Sequence, residues 1–215
     1  MAKTDVLQEA KSRFIELLQS QANTSHTGLR DEVVISRPLS AAEAIGDTGR
    51  DDFPIIRGKE VLMQAVYRGV AGQAFSAAKG DFHGTLGDVL KLPLAENFER
   101  AVFIATINAV LRYLGKIEKT VHCKDDGPKR CAACLAEWIN LQGSDMVGLE
   151  GMQPALLEAL VTSLGSEKVM ASDLTEAGSV RCGVKVLDGI DSSEMIERCQ
   201  LVLITGSTLV NGTID

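Results

Sequence analysis

The 215-residue sequence is poor in aromatic residues, which make up 4% of the chain, and it has no excess of positive charge. A net charge of -7 argues against a general nucleic-acid binder, because neutralising phosphates requires a basic surface. No apolar run approaches the roughly 20 residues that a membrane span needs. Since the charged N-terminus also lacks a secretory apolar region, we expect a cytoplasmic protein without a membrane span.

Five cysteines are present, an odd number that, without a secretory signal, indicates reduced thiols rather than a disulfide framework. Cys123, Cys131 and Cys134 lie within twelve residues of each other. Pro128 suits the first turn of a helix, which would place Cys131 and Cys134 on one helical face. Thiolates bind soft metal ions, so a metal site is one interpretation, and a reactive thiol or incidental cysteines are the alternatives. His122 adjoins Cys123, but in an extended segment the two side chains would point to opposite faces.

Apolar patterns divide the chain into two parts. The first part mixes predicted helices with predicted strands, the segment 61–76 being a strand or a strand pair and 81–87 a loop. From Asp145 onward, short apolar strands alternate with helices, which is typical of a parallel, doubly wound sheet. We therefore expect an α/β protein with an α+β domain at 1–142 and a parallel-sheet domain at 143–215. Such a sheet usually continues with another helix and strand, so we expect the second domain to be either minimal or shortened at its C-terminus.

Two segments of the second part are candidates for binding a cofactor. Gly148 and Gly151 flank a strand-to-helix turn, and Asp173 ends the next strand, where dinucleotide-binding folds often hold a ribose-binding acid. The full three-glycine fingerprint is missing, so a tight turn and a capping aspartate are the alternative. The loop predicted at 205–213 follows an apolar strand and suits an anion, although a simple turn would also explain it. Its candidate residues are Thr205, Gly206, Ser207, Thr208, Asn211 and Thr213.

Four residues of the first part are candidates for lining a cleft. Lys59 and Glu60 belong to a charged cluster, for which a solvated surface is the alternative. Gln73 follows a strand, and Asn108 lies in the middle of a predicted helix. A buried amide needs hydrogen-bond partners, so Asn108 is either aimed into a cleft or bonded locally.

Five strings together resemble the heavy-metal chelation family, in the same order from about Asp31 to the end of the chain. They are PIIRGKEVLMQAVYRGVAGQAFS, FIATINAVLRYLG, TVHCKDDGPKRCA, GLEGMQPALLEAL and LVLITGSTLVNGTID. The resemblance implies an enolase-N-terminal-like domain followed by a Rossmann-like domain, a role in metal chelation, and a context of cobalamin biosynthesis or metal uptake. The candidate residues above, apart from Gly148, match the family pattern, whereas Cys134 is an addition.

The leading hypothesis is a protein that binds a heavy metal or a metal complex between its two domains. Cys123 or Cys131, with His122 as a further candidate, would supply ligands to a soft transition metal, and the segment 205–213 would hold an anionic group. The alternative is an enzyme of unknown reaction that binds a nucleotide-like cofactor near Gly151 and Asp173. A scaffold protein without a ligand is a third possibility. The metal's identity, the presence of catalysis and homo-oligomerisation stay open.

Overall fold

Two β-sheets organise the chain, one antiparallel and one mainly parallel. They are seen in a computed structural model that describes residues 5–21, 28–35, 38–58 and 60–214. Helices accompany both sheets, which confirms the predicted mixed α/β class. Among the described residues, no helix combines the length and the apolar character that crossing a membrane requires.

The chain forms two units, each made of segments that are separate in sequence. Unit 1 consists of the described parts of Met1–Ile45, Pro54–His122 and Leu209–Asp215. Unit 2 consists of Gly46–Phe53 and Cys123–Thr208. The domain limits expected from the sequence, 1–142 and 143–215, stay a prediction.

Unit 1 is built on an antiparallel sheet. Its elements are α1 (Val6–Gln21), β1 (Glu32–Ile35), α2 (Ala41–Ile45), β2 (Val61–Tyr67), β3 (Val70–Ser76), β4 (Phe82–Thr85), α3 (Leu86–Leu90) and α4 (Asn97–Tyr113). The strand order is β3-β2-β1-β4. The segment 61–76 is thus a strand pair, whereas the loop predicted at 81–87 is wrong, because most of it forms β4 and the start of α3.

The hairpin between β2 and β3 turns at Arg68 and Gly69, which have φ angles of +48° and +79°. Two successive positive φ angles fit the right-handed twist of paired strands, and this explains the tight connection. Further along β3, Gly72 lets α4 approach the sheet closely. A β-carbon at Gly72 would lie 2.3 Å from the Ala109 nitrogen and 2.4 Å from the Ala105 oxygen. The packing of α4 on the sheet therefore depends on the absence of a side chain at this position.

Unit 2 is built on a five-stranded sheet in which all but one strand are parallel. Its elements are α5 (Gly127–Leu141), β5 (Val147–Glu150), α6 (Pro154–Leu164), a short 3-10 helix (Ser166–Lys168), β6 (Val169–Asp173), β7 (Val180–Arg181), β8 (Val184–Asp188), α7 (Ser193–Arg198) and β9 (Leu201–Ile204). A further helix, α8 (Ser207–Asn211), starts in unit 2 and ends in unit 1. The segment 205–213 is therefore largely helical, and its prediction as a loop is wrong.

The sheet order in unit 2 is β7-β8-β6-β5-β9. Its parallel strands thus lie in the order third, second, first, fourth along the chain, which is how dinucleotide-binding sheets begin. The likeness concerns strand order alone, so the Rossmann-like and enolase-like assignments stay predictions. Helices α5 and α6 pack against each other, and a buried apolar cluster joins them to the sheet. Members of this cluster are Ile139, Leu149, Leu157, Leu160 and Val186.

Candidate functional site

The two cysteines predicted from the sequence as metal ligands lie close to the start of α5, Cys123 just before it and Cys131 within it. Pro128 stands in the first turn of this helix, as predicted, and Asp126 is its N-cap residue. The side chain of Cys123 lies over Gly127, the first helical residue: a β-carbon at Gly127 would be 2.8 Å from the Cys123 β-carbon and 3.5 Å from its sulfur. Cys123 is therefore held against the N-terminus of the helix.

Cys131 lies within α5, on the helix face where Cys123 is held. It lies four residues after Gly127, so the two share a face, and helical side chains lean back toward the N-terminus. This places the Cys131 side chain near that of Cys123, close enough for the two thiols to interact. Burial raises the pKa of the Cys123 thiol, the charge and hydrogen bond of Cys131 raise it further, and Arg130 opposes the rise. The two sulfurs therefore form a dithiol, a term used below for Cys123 and Cys131 together.

The loop that carries Cys123 is fixed by Asp125. Its φ angle is +57°, in the left-handed region that aspartate tolerates better than most residues. Its Oδ1 accepts a hydrogen bond of 3.0 Å from the amide of Asp47, in the segment Gly46–Phe53 of the same unit. That segment is anchored in turn by Arg50, which binds Asp52 and Glu158. Asp125 is thus a positioning residue for the dithiol.

The dithiol is accessible to solvent on one side. Cys131 and Cys134 are exposed, whereas Cys123 is half-buried. Arg130 lies beside Cys123 and is paired with Asp126 at 2.7 Å. Within the part of the chain that the structure describes, no three side chains among histidine, cysteine, aspartate and glutamate are grouped to hold one metal ion. The residues present therefore fit an ion that needs two thiolates, and they do not fit a four-ligand structural zinc site.

His122, the further candidate ligand, belongs to a network in unit 1. Its backbone N–H donates to Gln73 Oε1 at 2.7 Å, and its ring meets the Phe75 ring edge-on with centroids 5.2 Å apart. Gln73 donates to Gln64 at 2.8 Å, and the Asn108 side chain donates to the Gln73 carbonyl at 3.1 Å. His122, Gln73 and Asn108, singled out separately in the sequence, are therefore brought together. Their hydrogen bonds tie β3 to α4 and to the segment that leaves α4.

The remaining cleft candidates are Lys59 and Glu60. Lys59 lies outside the described residues. Glu60 directly precedes β2 and is half-buried.

The predicted cofactor residues of unit 2 cluster where β5 and β9 end. After β5, the strands β6 and β8 are added on one side of it, and β9 is added on the other side. Ligands of open parallel sheets bind where the strand order reverses in this way. Gly151 has a φ angle of +86°, and a β-carbon there would lie 2.2 Å from Thr205 Oγ1. The Thr205 and Ser207 hydroxyls are 2.9 Å apart. Gly148 instead allows the Met195 side chain to pack closely on β5, because a β-carbon at this position would lie 2.6 Å from that side chain.

Asp173 is occupied by hydrogen bonds within unit 2. Its Oδ2 accepts from the Met152 amide at 2.8 Å. Its Oδ1 accepts from the amide and hydroxyl of Thr175 and from the Glu176 amide, at 2.8 to 3.0 Å. A carboxylate with four such donors holds two loops together, so a ribose would have to displace one of them.

The other residues of the segment 205–213 lie in two units. Thr208 donates its hydroxyl to the Thr205 carbonyl at 2.8 Å, and a β-carbon at Gly206 would meet no atom within 4 Å. Asn211 accepts from the Asn97 side chain at 3.3 Å, in unit 1. Thr213 follows α8 in the same unit and is exposed.

Glu150 is a residue that the sequence analysis missed. It ends the central strand β5, and its Oε2 accepts hydrogen bonds from Ser172 at 2.7 Å and from Ser192 at 2.5 Å. These serines are 22 and 42 residues away in sequence. The signal available in the sequence was a glutamate directly after an apolar strand, at the edge where parallel sheets bind ligands.

Comparison with known proteins gives one match. Residues 138–215 match the family model described as "Putative heavy-metal chelation". No curated protein and no solved structure matches the chain significantly. The matched residues run from the second half of α5 to the end of the chain, and Cys123 and Cys131 precede them.

Proposed function

We propose that this protein binds a soft metal ion through the thiolates of Cys123 and Cys131. The observation that carries the proposal is the position of Cys123 against Gly127, the first residue of α5, on the helix face that also carries Cys131. Thiolates are the protein ligands that soft ions prefer, and a pair already held on one face of a helix loses little conformational freedom when an ion binds. The ion, alone or in a complex, is the cargo of the protein.

The surroundings of the dithiol also support the proposal. The N-terminus of a helix carries partial positive charge, which stabilises thiolates and any negatively charged metal–thiolate group. Arg130, although paired with Asp126, opposes the rise that burial and Cys131 cause in the pKa of the Cys123 thiol. The family match contributes a description that names heavy-metal chelation, and most of its residues, 138–208, lie in the same unit as the dithiol.

The test is a competition titration with Cu(I) under anaerobic conditions, using protein without a histidine tag and a chromogenic Cu(I) chelator as competitor. We expect one ion per wild-type chain. Cys123→Ser and Cys131→Ser should each weaken binding by at least about tenfold, since each removes half of the ligand set. Cys182→Ser is the matched control, because Cys182 is also an exposed cysteine of unit 2 but lies between β7 and β8. Equal binding by wild type and Cys131→Ser would refute the proposal.

A second candidate function is the binding of a small hydroxyl-bearing ligand, such as a nucleotide, where β5 and β9 end. Glu150 favours it, because a partly buried carboxylate at this edge with two serine hydroxyls resembles a site prepared for hydrogen bonding. A nucleotide that binds here would raise the melting temperature, since it binds the folded state alone. Glu150→Gln should abolish that rise while leaving Cu(I) binding unchanged. The absence of a shift across a panel of adenosine-containing ligands would count against this second function.

A further inference from the structure

We infer that the dithiol is a two-coordinate site, selective for ions that are stable between two thiolates, namely Cu(I), Ag(I) and Hg(II). This inference rests on the proposed function and specifies its cargo. Zn²⁺ and similar ions take four ligands in protein sites, so a site with two strong ligands discriminates against them. The selectivity would come from the number of ligands rather than from their softness alone.

The groups next to the dithiol that could complete a larger ligand set are engaged elsewhere. Asp125 accepts a hydrogen bond from the Asp47 amide, and Asp126 is paired with Arg130. The His122 ring packs edge-on against Phe75. Binding an ion at the dithiol would compete with these contacts, and among the described residues no third histidine, cysteine, aspartate or glutamate is grouped with the two thiols to hold an ion.

Cys134 is the one nearby thiol that could convert a pair into a triad. It lies one helical turn beyond Cys131 and is exposed. Cys123, by contrast, is held at Gly127, before the first full turn of the same helix. A site that used all three sulfurs would need Cys134 to reach back along α5 past Cys131. The geometry therefore favours a site made of Cys123 and Cys131. The variant Cys134→Ser distinguishes a two-thiolate site from a three-thiolate site.

The net charge of the metal–dithiol complex gives a second criterion for distinguishing the bound ions. Two thiolates and a monovalent ion form a complex with one net negative charge, whereas two thiolates and Hg(II) form a neutral one. The Arg130 guanidinium and the N-terminus of α5 both stabilise negative charge at the dithiol. Arg130→Gln should therefore weaken Cu(I) binding by roughly two- to fivefold and leave Hg(II) binding nearly unchanged. Arg198→Gln is the matched control, since Arg198 is also an exposed arginine in an i, i+4 pair, with Glu194.

The closing experiment measures ligand number and selectivity together. Wild-type protein and Cys134→Ser are loaded separately with Cu(I), Hg(II) and Zn(II), and the metal–sulfur coordination number is determined by X-ray absorption spectroscopy. We expect two sulfurs around Cu(I) and Hg(II) in both proteins, and an affinity for Zn(II) lower by at least about a thousandfold, given the missing ligands. Three or four sulfurs, a loss of binding in Cys134→Ser, or comparable Zn(II) affinity would overturn the inference while leaving metal binding intact. If none of the ions binds in a dithiol-dependent way, the proposed function itself falls, and the inference with it.

Discussion

Gly127 makes room for the side chain of Cys123. A β-carbon at Gly127 would lie 2.8 Å from the Cys123 β-carbon, closer than such atoms approach in proteins. Gly127 and Cys123 are four residues apart in sequence. Their contact places the Cys123 side chain on the face of α5 that carries Cys131. Gly127 thus controls the distance between the two thiols without contributing an atom to a metal site.

Gly127→Ala should weaken Cu(I) binding by roughly tenfold or more, because displacing Cys123 misaligns one of two ligands. Both thiols remain, so the effect would come from position alone. The measurement is the anaerobic competition titration, accompanied by a thermal melt to show that the variant is folded. Pro128→Ala is the control, since it alters the start of the same helix without placing an atom against Cys123. If Gly127→Ala binds Cu(I) as tightly as wild type, the alignment of the two thiols is unimportant.

Gly72→Ala should destabilise the protein by roughly 1–3 kcal/mol or more, because the added methyl group meets the backbone of α4 rather than a movable side chain. The free energy of unfolding can be measured by urea denaturation. A second substitution in a neighbouring side chain should not restore stability, since the colliding atoms are the Ala109 nitrogen and the Ala105 oxygen. Unchanged stability would mean that α4 packs less closely on β3 than described.

Thr106 on α4 is fully buried, and among the described residues its hydroxyl has no hydrogen-bond partner. Burying an unpaired hydroxyl costs free energy that an apolar group of similar shape avoids. Thr106→Val should therefore stabilise the protein by about 1 kcal/mol, as measured by urea denaturation. A clear loss of stability would show that the hydroxyl has a partner, such as a bound water molecule.

Asp31 should make the stability of the protein sensitive to acid. Burial opposes its ionisation, but hydrogen bonds from Tyr67, the Gly28 amide and Arg68 outweigh this effect and hold the pKa of Asp31 below its ordinary value. A lowered folded-state pKa gives stability that is present above the unfolded value of about 4 and is lost as the pH falls through the folded value. The free energy of unfolding of Asp31→Asn should therefore be smaller than that of the wild type at pH 7. The difference between the two free energies should decrease below about pH 4. A difference that is constant with pH would exclude this role for the Asp31 charge.

Much of the fold follows from local patterns in the sequence. Helix α6 spans Pro154–Leu164, after the strand-to-helix turn that the sequence predicts, because a proline suits its first turn and Gly165 follows its end. The four-residue strand β4 was missed, since it is short and contains His83 and Gly84. It forms because its backbone pairs with β1, a contact between distant segments. Helix α8 was missed because hydroxyl residues and Asn211–Gly212 are also typical of turns.

The candidate site shows the same division between local and distant contacts. Pro128 and the spacing of the cysteines predicted where α5 starts and which face carries Cys131. They could not predict that Cys123 would lie against Gly127, because that position depends on the left-handed backbone of Asp125 and its bond to Asp47, 78 residues away. Glu150 was missed for a similar reason, since its serine partners come from β6 and from the N-cap of α7.

Alkylation of the cysteines, followed by mass spectrometry, tests most directly whether Cys123 and Cys131 share one ion. Metal-free protein and protein loaded with one equivalent of Cu(I) are treated with a thiol-alkylating reagent, and the modification rate of each cysteine is compared. We predict that Cu(I) slows alkylation at Cys123 and Cys131 together and leaves Cys134, Cys182 and Cys199 unchanged. Slower alkylation at only one residue of the pair, or at the other cysteines instead, would contradict a shared dithiol site.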